Sequence, residues 1–89
     1  MVYVKKVVLD VLKPHQPNAL DFSRAIAEAG GDYRVHLTVI EVDENTETLL
    51  VTVEGNAIDF DAVQSVITEL GASLHSIDEV EVQGEPDAV

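Results

Sequence analysis

Tyr33–Gly55 reads YRVHLTVIEVDENTETLLVTVEG, two runs of alternating apolar and polar residues separated by the polar stretch DENTE. A period of two sends successive side chains to opposite faces of an extended chain, and a polar gap of this length lets the chain reverse. The segment is a β-hairpin with strands at Tyr33–Val42 and Thr48–Gly55. What flanks it sets the fold.

Upstream, VVLDVLK at Val7–Lys13 is a further strand, with Val7, Leu9 and Val11 on one face and Val8, Asp10 and Leu12 on the other. Pro14 and Pro17 forbid a regular ladder or helix through the next residues. Asn18, followed three positions later by Asp21, is a helix N-cap with an acidic first turn. The helix it opens runs over Ala19–Ala29, with Phe22, Ile26 and Ala29 on one face, and Gly30 and Gly31 stop it.

Downstream, Asp59 caps a second helix and Ile58 can staple onto Val63. Val63, Val66, Ile67 and Leu70 then fall at i, i+3, i+4 and i+7, and Gly71 ends the helix. A last strand covers Ser73–Val82. Residues 1–83 therefore form one domain, and the closing GEPDAV, residues 84–89, is expected to be a flexible tail.

The order β-α-β-β-α-β defines an α+β protein of the ferredoxin-like class, a four-stranded antiparallel sheet with both helices on one face. Right-handed crossovers place the first and third strands in the centre and give the order 4-1-3-2. The helices then cover Val7, Leu9, Val11, Val35, Leu37, Val39, Leu49, Val51 and Val53. The other face carries Val8, Leu12, Ile40, Val42 and Leu50 among Asp10, Thr38, Thr52 and Glu54. Five aliphatics on one open face exceed what a soluble monomer usually exposes, so they are expected to form a homo-oligomer interface.

Composition narrows the function classes. Eighty-nine residues bury only about 60–65% of the surface of the unfolded chain, which also favours assembly. No cysteine is present, so disulfides, thiolate metal sites and cysteine nucleophiles are excluded. No apolar run is long enough for a membrane span and MVYVKKVV is not a signal peptide, so a cytoplasmic protein without a membrane partner is expected.

The net charge is −12, and residues 41–89 hold 13 acidic groups and no basic one. Such a chain repels phosphate backbones, and nucleic acid is not an expected partner. An acidic surface poor in lysine instead suits a salt-rich cytoplasm, where screening shortens the Debye length to about 3 Å at 1 M.

The segments VLDVLKPHQP (Val8–Pro17), EVDENTE (Glu41–Glu47) and LHSIDEV (Leu74–Val80) resemble an uncharacterised archaeal family, domain of unknown function family 211. The resemblance spans about residues 1–83. It implies a ferredoxin-like fold and a tendency toward ring-like homo-oligomers, with no established activity. The acid excess departs from the family pattern and points to a halophilic member.

Chemical signatures are sparse. The central strands lack the aromatics of an RNA recognition module, and no phosphate-binding glycine loop occurs. Asp43, Asn45, Glu47 and Glu54 have the spacing of a calcium loop, but Thr48 stands where that loop requires glycine. Ser76 and Asp78 beside His75 lack the strained nucleophile turn and oxyanion hole of a hydrolase, so no enzyme is expected.

One constellation remains. Asp10 interrupts a central apolar strand and needs a hydrogen-bonding partner. Because the first and last strands run antiparallel, Lys13 and His15 are expected near Ser73 and His75. Asp10, His15, His75, Asp78 and Glu79 are thus the candidate metal ligands, with Asp78 and Glu79 both usable only if a bulge intervenes. Carboxylates favour Ca²⁺ or Mg²⁺, while imidazole shifts preference toward Zn²⁺. The resulting expectation is a small, oligomeric, non-catalytic interaction or ligand-sensing module, with a divalent-cation-binding protein as the alternative.

Overall fold

The computed structural model describes residues 1–85. Its elements are β1 (Val2–Pro14), α1 (Ala19–Ala27), β2 (Arg34–Val42), β3 (Thr46–Glu54), α2 (Phe60–Glu69) and β4 (Ser73–Gly84). They form one four-stranded sheet in the order β2-β3-β1-β4, with every neighbouring pair antiparallel. This is the ferredoxin-like arrangement that the alternation and the crossover rule predict.

β1 is the central strand. It pairs with β3 from Lys6 opposite Glu54 to Pro14 opposite Thr46, and with β4 from Val2 opposite Gly84 to Leu12 opposite Ser73. Its odd-numbered residues Val7, Leu9 and Val11 are buried against the helices, as are Leu49, Val51 and Val53 of β3. From above come Phe22 and Ile26 of α1, Val63 and Ile67 of α2, and Ile58 from the loop before α2. Leucine and β-branched residues carry this core, as a chain with two phenylalanines and no tryptophan requires.

Local chemistry fixes the helix ends. The Asn18 side chain accepts from the Asp21 N–H at 2.8 Å, and Asp59 accepts from the Ala62 N–H at 3.1 Å. At the end of α2, Gly71 takes φ +82°, a left-handed value that glycine adopts without a Cβ clash. Gly71 N–H then reaches the Thr68 carbonyl and Ala72 N–H the Ile67 carbonyl, a Schellman closure. Helix α1 stops at Ala27, two residues earlier than the apolar spacing suggests, and the chain then descends to Tyr33. The Tyr33 ring lies so close over Gly30 that a Cβ there would collide with it, while its hydroxyl accepts from the Asp59 N–H at 2.6 Å.

β1 is longer than its apolar heart because β4 pairs with it from Val2 onward, and on the other side Gly55 N–H donates to the Lys5 carbonyl and Ile58 N–H to that of Val4. β4 is also longer than expected. Gly84 belongs to the sheet and Glu85 N–H donates to the Met1 carbonyl, so the tail assigned to residues 84–89 does not start at Gly84. Residues 86–89 of that tail lie outside the described residues. The molecule is long, 57 × 22 × 17 Å along its principal axes. No helix among the described residues is long and apolar enough to cross a membrane.

The two faces of β1 make a direct comparison possible. Leu9→Ala should cost about 3 kcal/mol, since Leu9 is fully buried. Leu12→Ala, on the opposite face, should cost less than about 1 kcal/mol. Urea unfolding midpoints measure both, and equal costs would contradict this assignment of faces.

Candidate functional site

The uncovered face of the sheet is built from the even-numbered residues of β1 and their cross-strand partners. Asp10 stands between Leu50 of β3 and Ser76 of β4. Its carboxylate oxygen Oδ2 lies 3.2 Å from His75 Nδ1. Asp10, Leu12, Thr48 and His75 line a shallow hollow of about 250 Å³. The interrupting aspartate therefore has its partner, and the partner comes from β4.

Irregularity in β4 makes that meeting possible. Opposite β1, the register slips between Asp10 and Val11 and again between Val8 and Leu9. Each slip leaves one β4 residue without an opposite number, His75 in the first case and Asp78 in the second. These are β-bulges, which re-aim the extra side chain and bend the strand. Ser76 Oγ donates to Asp78 Oδ1 at 2.6 Å, and Glu79, opposite Val8, pairs with Lys6 at 2.8 Å. That carboxylate, first by hydrogen bond and then by charge, raises the Lys6 pKa above its ordinary value.

His15 does not join this group. Lys13 continues the odd-numbered row of β1 and is fully buried on the helix side, away from His75. Its ammonium donates to the Pro14 carbonyl at 2.8 Å and the Pro17 carbonyl at 2.6 Å, and pairs with Glu47 Oε1 at 3.1 Å. His15 Nδ1 lies 3.0 Å from the other Glu47 oxygen and Nε2 lies 2.9 Å from the Glu44 carbonyl oxygen. The hydrogen bond to Glu47, followed by the one to Glu44, raises the His15 pKa, and the bonds from His15 and then Lys13 lower that of Glu47.

The expected approach of Lys13 and His15 to Ser73 and His75 is thus corrected. Alternation carries Lys13 to the covered face, and the proline segment turns His15 toward the β2–β3 turn. Of the five candidate ligands, only Asp10 and His75 meet; Asp78 is engaged by Ser76 on β4 and Glu79 by Lys6 on β1. Among the described residues, no three His, Asp or Glu side chains converge to hold a metal ion.

A sequence profile described as "Uncharacterized ArCR", that of DUF211, matches residues 5–86. The chain belongs to the DUF211 family. An uncharacterized protein of Methanocaldococcus jannaschii is 44% identical to it over 77 residues, which cover 86% of this chain and 79% of the relative.

In this DUF211 protein the exposed aliphatics are distributed differently from the expectation. Val8, Leu12 and Leu50 share the open face. Ile40 is the extra residue of a bulge between Val39 and Glu41, after which Glu41 stands opposite Thr48 and Val42 opposite Glu47. The slip moves Val42 to the helix-side row, so the proposed five-residue patch does not form as one surface. Sequence reading missed a second row instead. Ile77, Val80 and Val82 stand opposite Leu9, Val7 and Val4 on the helix side of β4, and each is about half exposed.

The buried pairing of Lys13 with Glu47 was the other omission, though the parity of Lys13 with Val7, Leu9 and Val11 was a usable signal. Lys13→Met should destabilise the DUF211 fold by about 3 kcal/mol. That is the lower end for breaking a buried ion pair, because Glu47 keeps some access to water. Denaturant titration of the two chains at neutral pH measures it, and an unchanged midpoint would show the buried ammonium to be dispensable.

Proposed function

We propose that this protein is a non-catalytic, self-assembling module whose copies join edge to edge, β4 of one against β2 of the next. The observation that carries the reading is the β4 edge: 12 residues long, paired on one side only, with Ile77, Val80 and Val82 half exposed beside it. Unpaired strand edges flanked by apolar side chains are templates for another strand.

Two features favour a β4–β2 contact over β4 with itself. β2 and β4 run in opposite directions at the two ends of the sheet, so a second copy set alongside continues the antiparallel sheet with its helices on the same side. Charge favours the same choice. β4 carries Asp78, Glu79 and Glu81, which self-pairing would set against their own copies, whereas β2 offers Arg34 and His36 and one acid, Glu41. Repeated head to tail, this contact closes a ring when the rotation allows it, the assembly that the family resemblance implies. A net charge of −12 per copy fits assembly at high salt, where repulsion is screened.

Light scattering tests this. The native chain should exceed the mass of one copy, and Val80→Lys or Arg34→Glu should reduce it toward that mass while circular dichroism stays unchanged. A monomeric native chain would overturn the reading.

The Asp10–His75 contact supports a second reading, a divalent-cation half-site completed by a neighbouring copy. One carboxylate and one imidazole suit Zn²⁺ better than Ca²⁺ or Mg²⁺. Calorimetric titration of chelator-treated protein with Zn²⁺ should give heat that Asp10→Ala and His75→Ala each remove. Absence of heat, or heat that survives both substitutions, sinks it.

A further inference from the structure

The contacts of His15 depend on a single proton. Its two ring nitrogens face the Glu47 carboxylate and the Glu44 carbonyl, and neither neighbour can donate. Only with hydrogen on both nitrogens, as an imidazolium, does the ring donate to both oxygens. A neutral ring has one N–H, so either tautomer would set a lone pair against an oxygen on one side.

The two contacts connect separate parts of the chain. His15 follows β1, Glu47 lies in β3, and Glu44 lies in the turn that joins β2 to β3. We propose that His15 is a proton-operated latch: protonated, it ties the β2–β3 turn to the segment after β1, and neutral, it frees the turn while the sheet stays intact. The device is a property of one chain and stands apart from the edge-pairing reading.

The surrounding groups explain why opening would be local. From β1, the Lys13 ammonium holds the other oxygen of Glu47 and the Pro14 and Pro17 carbonyls, contacts that need no imidazole proton. From the turn, the Asp43 N–H donates to the Thr46 carbonyl at 2.8 Å, which closes the hairpin independently. The carbonyl of Asp43 also approaches the ring and favours its charged form. The core residues lie on other parts of β1 and β3.

The direction of the pH response follows from the two partners. His15 has a raised pKa, so its contribution is complete below the ordinary imidazole value of 6.5 and is lost as pH rises through the raised value. Glu47 has a lowered pKa, so its contribution is present above the ordinary 4.5 and is lost as pH falls through the lowered value. The latch is closed between the two folded-state values.

Nuclear magnetic resonance of the full chain, titrated about two pH units either side of the ordinary imidazole value, is the test. The His15 ring should titrate above that value, and the amide signals of Glu44, Asn45 and Thr46 should move with the same midpoint while those of Leu9 and Val51 stay still. Glu47→Gln should lower the His15 midpoint, and His15→Gln should remove the amide step. Turn amides indifferent to His15, or a midpoint at or below the ordinary value, would overturn the latch. Should His15→Gln fail to fold, the native titration and Glu47→Gln still decide.

Discussion

The two-residue alternation of β1 is the constraint on which the rest of the structure depends. As a central strand, β1 is hydrogen-bonded on both sides, so it cannot slip by one residue without turning Val7, Leu9 and Val11 out of the core and Asp10 into it. Burying each of those aliphatics is worth about 1.5–3 kcal/mol, and burying an unpaired carboxylate would add a cost of its own. The same parity that protects the core delivers Lys13 to the covered side. That burial is tolerable because the Pro14 and Pro17 carbonyls accept hydrogen bonds from the ammonium, and Glu47 supplies the counter-charge.

Features governed by neighbouring residues were legible in the sequence. The hairpin, the caps at Asn18 and Asp59 and the stop at Gly71 each depend on chemistry within a few positions. Strand order followed from the handedness of the crossovers. The candidate site was legible only in part: Asp10 and His75 meet, yet the route is a bulge at His75 that no local pattern announces. A bulge is settled by what the adjacent strand needs. The same reason defeated the placement of Val42, where one extra residue at Ile40 reversed the row. His15 was misplaced because the chain leaves the sheet at Pro14, and beyond a strand's end alternation no longer predicts direction.

The few cations are largely spoken for within the fold. Lys13 is buried with Glu47, Lys6 pairs with Glu79, Arg24 lies 3.6 Å from Asp21, and Lys5 sits over the Tyr3 ring. Pairing removes three carboxylates from the surface field as well, but the excess of acids remains. The field around the molecule is therefore negative nearly everywhere, and Arg34 on the β2 edge is a rare positive feature in it. Charge contrast of that kind selects orientation during encounter more than it adds affinity.

The 57 Å length of so small a chain has a consequence for how it moves. Its radius of gyration, 13.8 Å, exceeds the roughly 12 Å of a compact domain of this size. An elongated particle drags more solvent than a sphere of equal mass and tumbles at different rates about its long and short axes. A sizing column calibrated with globular standards would credit a single copy with too much mass, so its apparent size in flow and its true mass are separate quantities.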